Sequence, residues 1–565
     1  MGYKPIAIGT DNFKKLIQSG SYYVDKTLLI KEILDKKGET NLFTRPRRFG
    51  KTLNMSMLQY FFEDTGNKAV NAENKQLFTN MKILDAGEKY TSEMGQYPVI
   101  SLSLKSAKQP TWELAYGCLK ETIGNEFLRH IQILPSIQLE SDKIRFQNIL
   151  NNAGTRQDYV TALAFLSRLL GQFYKKPVII LIDEYDVPLE NAYFRGFYQD
   201  MVDFIRSLFE SALKTNPDLY FAVITGCMRI TKESIFTGLN NLKINSILSQ
   251  NYGEYFGFTK KEMEEILSFY HCTEKQEIIQ KWYNGYSFGN IEVYNPWSVL
   301  NYIDSLMGSP DAFPVPYWSN TSSNDVIRSL IEKADLSVRA EIEDLIAGKT
   351  IEKPVHEDIT YEDVYATMDN LWNFLFFTGY LRMSGQRMQD DTMFVALSIP
   401  NTEIRQIYKT KILGWFQDVV RSRDLTGLYH SILDGDVEGF ERDLTAVLQD
   451  TISFYDNVEA FYHGFMAGIL GQLKTHIVKS NRESGDGRYD IMIRSLDITK
   501  PIVIMEIKAA KEYRELDHWT EEALKQIREK EYDREFAREG YQKSIRYGIA
   551  FYKKACRIKM ERIEL

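Results

Sequence analysis

Three groups of residues carry side chains at spacings suited to phosphate chemistry. The first is the run 41–52, NLFTRPRRFGKT. Its Gly50, Lys51 and Thr52 end the run as a phosphate-binding loop ends, where backbone N–H groups cradle phosphate oxygens, the lysine reaches the β/γ positions and the hydroxyl holds Mg²⁺. The start departs from that pattern, because Arg45 stands where the first glycine belongs and Pro46, Arg47, Arg48 and Phe49 fill the loop. Taken alone, the three residues also fit a solvated basic turn. The second group is Asp183 and Glu184, directly after the apolar run Ile179, Ile180, Leu181 and Ile182. In a nucleotide hydrolase the first such acid serves the Mg²⁺ shell and the second polarises the attacking water; the alternative is the start of a solvated turn. The third group is Asp490, Glu506 and Lys508. Glu506 and Lys508 are two apart and so share one face of a strand. Two carboxylates and a lysine make a Mg²⁺ site at which a water is acidified and a phosphodiester neutralised, with the lysine orienting the water or stabilising transition-state charge. Apolar strands exclude charge from a buried face, and VIMEIKA breaks that rule twice on one face, which costs energy unless the groups are paired or bind metal. A cross-strand Glu-Lys pair on an exposed face is the alternative.

These groups need elements to hold them. The segment ETNLFTRP carries a short apolar burst before the glycine-lysine pair, and Leu53, Met57, Leu58, Phe61 and Phe62 recur at helical spacing after it. Strand, loop and helix follow in that order, so the helix N-terminus adds partial positive charge to the loop's N–H groups. Three further apolar strands are expected at 97–104, 176–186 and 219–229, separated by helical stretches such as TALAFLSRLLGQFY. Near-continuous apolar strands alternating with helices indicate a parallel sheet covered on both faces. Asp183 and Glu184 then stand at a strand's C-terminal end, where open α/β sheets bind ligands. The fourth strand closes on Thr225, Gly226 and Arg229. Thr225 is the candidate γ-phosphate sensor of a strand inserted between the loop strand and the acid strand. Arg229 is positioned either as an arginine finger, in its own subunit or a neighbour's, or as an ordinary strand-end salt bridge.

From 256 to 398 helical stretches alternate with aromatic turns, which suits a helical lid or a winged-helix-like unit. His271 and Cys272 have no partners at ligand spacing and read as structural. Beyond 399 the pattern becomes one long helix over 451–476, a hairpin with a Gly-Asp-Gly turn, a buried strand, a helix and one or two closing strands.

The length of 565 residues favours roughly three to four domains, and the boundaries read as 1–255, 256–398 and 399–565. With 44% hydrophobic and 26% charged residues the composition is that of a folded enzyme. A net charge of -8 excludes a globally basic nucleic-acid coat, although a local basic channel would be hidden in that sum. The four cysteines, Cys118, Cys227, Cys272 and Cys556, form no CxxC pair and indicate a reducing compartment. The N-terminus lacks a signal-peptide core, no 18-residue apolar run occurs, and Ile6 breaks a myristoylation signal. A cytoplasmic protein without membrane attachment is expected.

Together RPRRFGKT, the preceding YYVDKT, IDEYD, ITGCMRITKESIFTGLNNL and NRESGDGRYDIMI resemble the predicted AAA-ATPase-like family, often fused to a PD-(D/E)XK nuclease-like domain. The resemblance covers nearly the whole chain. It implies an α/β architecture: a P-loop NTPase sheet akin to the archaeal-ATPase and STAND groups, a mostly helical middle, and a C-terminal restriction-endonuclease-like domain. The glycine-poor loop is usual in that family, so Arg45 departs only from the general pattern; nucleotide binding is implied more strongly than hydrolysis. The resemblance further implies Asp490 as first metal acid, Glu506 as second, Lys508 as the lysine, Glu459 on the preceding helix as an additional acid, and Gln526 as the helix glutamine of some branches. Tyr489 replaces the motif's proline, and Glu459, four residues before His463, is alternatively a helix-face pair. The expected cofactors are ATP and Mg²⁺, with Mn²⁺ able to substitute; Thr52, Asp183, Asp490 and Glu506 are the metal-binding candidates. The expected function is an ATP-dependent nucleic-acid enzyme, DNA or RNA undetermined, with room for a homo-oligomer. Its rival is a nucleotide-operated switch or scaffold whose C-terminal domain binds a partner without cutting.

Overall fold

The computed structural model describes residues 3–228, 235–236, 238–320, 336–355, 367–410, 424–451, 459–471, 473, 475–484 and 487–565. The chain divides into two compact units, Met1–Thr321 with Thr350–Gln406, and Ser322–Lys349 with Ile407–Leu565.

The first unit is built on five parallel strands, β1 (Thr40–Thr44), β2 (Val99–Ser103), β3 (Val178–Asp183), β4 (Leu219–Gly226) and β5 (Leu242–Asn245), in the order β2-β3-β4-β1-β5. Every residue of β1 and β3 is buried, as expected for central strands covered on both faces. The inserted position of β4, between the acid strand and the loop strand, sets Phe43 opposite Thr225. The edge strand β5 escaped the sequence reading because LKIN is short and mostly half-buried, so it has no apolar run.

Residues 256–398 contain helices, as expected, and also two small antiparallel sheets that their sequence did not reveal. One joins β6 (Phe258–Thr259), β7 (Tyr286–Phe288) and β8 (Ile291–Tyr294) in the order β6-β8-β7. The other joins β9 (Ile351–Pro354), β10 (Arg382–Gln389) and β11 (Thr392–Ser398) in the order β10-β11-β9. The β10–β11 hairpin turns on Asp390 and Asp391, both at positive φ (44° and 63°), the twist a two-residue hairpin requires. Without a glycine there, the turn carries no strong sequence signal.

The second unit holds five strands in chain order, β12 (Ile477–Ser484), β13 (Gly487–Arg494), β14 (Ile502–Ala509), β15 (Lys543–Tyr552) and β16 (Ala555–Glu564). Only β14 and β15 pair in parallel, and the helix Leu516–Lys530 makes the crossover between them. A Cβ on Gly548 would lie 2.3 Å from the Thr520 carbonyl oxygen, so glycine lets that helix settle on β15. Residues of β13 and β14 feed two cores, in alternation except at Tyr489: Ile491, Ile493, Val503, Met505 and Ile507 face the helices on one side, and Tyr489, Met492, Ile502 and Ile504 join Leu524 and Ile527 on the other. The single long helix expected over 451–476 is shorter where it is described, Glu459–Leu470; residues 452–458 lie outside the described set. It ends at Leu470, ahead of the β12 strand.

Candidate functional sites

In the first unit β1 delivers the loop and Gly50 turns it into the helix Lys51–Phe62. Gly50 adopts φ 84°, and a Cβ there would meet nothing within 4 Å; glycine is needed for its backbone angle, not for space. Lys51 is 5% exposed, and its Nζ donates to the carbonyl oxygens of Arg45 (2.8 Å) and Pro46 (3.0 Å), 3.6 Å from Cys227 Sγ. The ammonium is thereby held inside the loop's concave side.

The three loop arginines separate. Arg45 is fully buried; its Nη1 donates to Thr44 O (2.8 Å) and Asn245 O (2.7 Å), and its guanidinium lies 5.0 Å from the Phe256 ring and 4.9 Å from the Phe288 ring. Burial pulls its pKa down to about 9. Its side chain braces the loop from beneath, so toward a ligand Arg45 presents backbone. Phe49 is likewise buried, against Tyr286 and Phe288, and its carbonyl accepts from Gly257 N–H (3.3 Å). Arg47 pairs with Glu190. Arg48 is exposed, at φ 71°.

The acids converge on the same place. Asp183 is 5% exposed and accepts from the Thr225 hydroxyl. Burial pushes its carboxyl up, opposed by the Thr225 and Thr52 hydroxyls and the Lys51 charge. The Lys51-Thr52 pair, Asp183 and Thr225, from three distant stretches of the sequence, therefore meet in one place. Glu184 follows at φ 53°, with its N–H donating to Thr225 Oγ1 (3.3 Å); a bulky residue in that left-handed region marks a strained site. Arg229 lies outside the described residues.

Sequence reasoning missed Asp186. It is buried, accepts from the N–H groups of Cys227 (2.6 Å) and Met228 (3.1 Å), and burial pushes its carboxyl up to about 6. It fixes the chain leaving β4 immediately after Thr225. The second aspartate of IDEYD was the available signal, though nothing local distinguishes it from a solvated turn acid.

In the second unit Asp490 on β13 and Glu506 and Lys508 on β14 come together as expected. The β13–β14 ladder ends at the Ile491 and Met505 pair; beyond it the Asp490 carboxylate accepts the Ile507 N–H (2.7 Å) in place of a ladder bond. Glu506 is 2% exposed, and its Oε1 accepts from Lys508 Nζ (3.0 Å) and from Gln526 Nε2. Its Oε2 is buried without a hydrogen-bond partner. Burial and the neighbouring Asp490 and Glu459 charges hold the Glu506 carboxyl well above the usual range, against the pull of Lys508. Burial lowers the Lys508 pKa, but Glu506, Glu459 and Asp490 outweigh it and hold the amine above its ordinary value. Glu459 reaches the group at 3.7 Å from Lys508 Nζ, with half its side chain exposed.

Two contacts of residues singled out in the sequence went unread there. His463 Nε2 donates to the Asp490 carbonyl (2.9 Å), and Gln526 Nε2 also lies 3.1 Å from Tyr532 Oη. His463 thus serves the Asp490 backbone, and Glu459 pairs with Lys508. Among the described residues no three His, Cys, Asp or Glu side chains gather as a metal cage. A pair of carboxylates with one unpartnered buried oxygen fits Mg²⁺, which takes one or two carboxylates and fills its shell with water and substrate oxygens.

Comparison with known proteins agrees with this division. Residues 7–236 match the family model described as Predicted AAA-ATPase, and residues 457–561 match the PD-(D/E)XK nuclease superfamily model. An uncharacterized protein in the vnfD 5' region of Azotobacter chroococcum mcd 1 is 24% identical over 477 residues, 83% of this chain and 82% of that protein. Among solved structures, the Aeropyrum pernix ORC2 protein in its ADPNP-ADP complexes aligns over 68% of this chain and 92% of its own, at 10% identity and a TM-score of 0.24, a likeness too slight to build on. No described helix is long and apolar enough to cross a membrane. The chain thus carries a segment similar to the predicted AAA-ATPase family, residues 7–236, and one similar to the PD-(D/E)XK nuclease superfamily, residues 457–561.

Proposed function

We propose that this chain is a cytoplasmic ATP-binding and ATP-hydrolysing module coupled to a Mg²⁺-dependent phosphodiesterase that acts on nucleic acid. Residues 1–255 bind nucleotide, 256–398 cover the loop and 399–565 cut. Mg²⁺, held by Thr52 and Asp183 at the nucleotide and by Asp490 and Glu506 at the phosphodiester, supplies charge neutralisation and a more acidic bound water. The protein's own groups do the rest. Loop N–H groups from residue 47 to residue 50 and the Lys51 ammonium orient the phosphates. Glu184 polarises the attacking water, and Thr225 holds Asp183 while facing the terminal phosphate. At the second site Lys508 orients the water and stabilises the negative charge that builds on the phosphate oxygens. Gln526 and Glu459 position Glu506 and Lys508.

The observation that carries this reading is the buried, unpartnered Oε2 of Glu506 beside Asp490. Such an oxygen costs free energy on the order of 1–3 kcal/mol or more unless a cation or donor satisfies it. A second reading, a nucleotide-operated switch whose C-terminal domain binds without cutting, draws on Lys508, which ion-pairs with both Glu506 and Glu459 and offsets part of the charge there without metal. Incubating the full chain with Mg²⁺ or Mn²⁺ and single- or double-stranded DNA or RNA, with and without ATP, separates the two. Metal-dependent cleavage that responds to ATP supports the enzyme; firm ATP binding with no cleavage of any substrate supports the switch.

A further inference from the structure

Two of the three loop arginines are committed, Arg45 to the core and Arg47 to Glu190. Arg48 is not. Its guanidinium lies 4.1 Å from the centroid of the Trp297 ring, and it forms no hydrogen bond or salt bridge with another described residue. Trp297 stands at the start of the helix Pro296–Gly308, its ring anchored by Nε1–H donation to Tyr317 O (3.4 Å). Glycine would hold the Arg48 backbone at φ 71° without strain, so the turn itself gives no reason for an arginine. Glu184, also left-handed, lies within electrostatic reach of Arg48, which precedes Lys51 by three residues.

We propose that Arg48 senses the terminal phosphate of a nucleoside triphosphate, exchanging the Trp297 face for the phosphate oxygens, so that the helix Pro296–Gly308 is clasped or released according to the nucleotide in the loop. The proposal rests on the nucleotide-binding reading of that loop. The exchange has a direction: charge-assisted, bidentate guanidinium–phosphate bonds are stronger than a cation held over a partly exposed indole. A diphosphate offers no γ oxygens, and Arg48 stays on the ring.

The test uses the full chain with Mg²⁺ and either ADP or a non-hydrolysable ATP analogue, reading tryptophan emission and binding affinity. The Trp297 contribution is isolated by subtracting the spectrum of Trp297→Leu. The expected result is a change in Trp297 emission with the ATP analogue and none with ADP. Trp297→Leu removes the competing contact and should tighten ATP-analogue binding on the order of fivefold relative to ADP. Arg48→Gly, which relieves the backbone as it removes the charge, should shrink the ratio of ATP-analogue to ADP affinity on the order of tenfold. If the analogue binds tightly while Trp297 emission stays unchanged and Arg48→Gly keeps the parent's affinity ratio, the sensor is overturned and the loop reading survives. Binding of neither nucleotide overturns both.

Discussion

Replacing Arg45 tests whether the first residue of the loop acts on nucleotide or on the fold. The drop of its pKa from the ordinary arginine value to about 9 corresponds to a desolvation cost on the order of 5 kcal/mol for the charged form. Against this stand two hydrogen bonds from a charged donor to Thr44 O and Asn245 O, each worth about 1.5–3 kcal/mol, and ring contacts with Phe256 and Phe288 of up to about 2 kcal/mol each. The two sides nearly cancel. Arg45→Met, which keeps the volume and lifts the desolvation cost but leaves carbonyls without a donor, should destabilise the first unit by only about 1–2 kcal/mol. Arg45→Ala leaves a hole among aromatic rings and should cost roughly 3–5 kcal/mol. Urea unfolding followed by tryptophan emission measures both, and titration calorimetry measures ATP affinity on the same samples. Arg45→Met should bind ATP within about threefold of the parent, because the buried guanidinium never reaches the ligand; a threefold change is about 0.7 kcal/mol. A variant as stable as the parent whose ATP affinity falls tenfold or more would refute the reasoning.

Glu184→Gln should keep Mg·ATP bound while slowing hydrolysis, whereas Asp183→Asn should weaken Mg²⁺-dependent binding itself; identical behaviour in calorimetry and phosphate release would remove that division of roles. At the second site, Asp490→Ala or Glu506→Ala should abolish both cleavage and the rise in melting temperature caused by Mn²⁺. Lys508→Ala should keep or strengthen the Mn²⁺ response and lose cleavage, about 3 kcal/mol of transition-state stabilisation or more; equal destabilisation by Glu506→Ala and Lys508→Ala with no Mn²⁺ effect on the parent would mark a plain ion pair. The fourth expectation is a pH dependence. Burial pushes the Glu403 carboxyl up to about 7, even though Ser298 Oγ (2.8 Å) and Trp318 N–H (2.9 Å) donate to it. Its folded form binds the proton more tightly than the unfolded chain does. Stability should therefore fall as pH rises from about 4.5 through 7, by on the order of 3 kcal/mol from this residue, and Glu403→Gln should flatten that slope in urea titrations from pH 5 to 8.

Much of both sites was legible because its determinants are local. Gly50 must supply a positive φ between strand and helix, and Asp183 follows its apolar strand directly. The two-residue spacing of Glu506 and Lys508 puts them on one face whatever surrounds them. Alternation of apolar strands with helices implied the parallel sheet, and the Gly-Asp-Gly segment implied the β12–β13 hairpin. Contacts between distant parts of the chain were not legible. The burial of Arg45 depends on Phe256, Phe288 and the carbonyl of Asn245, about two hundred residues away; in the sequence it is one of three equivalent basic residues. Asp186 acquires its role only because β4 returns beside β3 and offers the Cys227 and Met228 N–H groups, and His463 supports Asp490 only once the helix lies across β13. By itself the sequence determined which residues are the candidates for the chemistry, because residue type, backbone freedom and strand or helix period are properties of short segments. The tertiary structure alone decided which charges are buried, paired or left free, because solvation and Coulomb energy depend on what packs around a group, and that is supplied by residues far away in the chain.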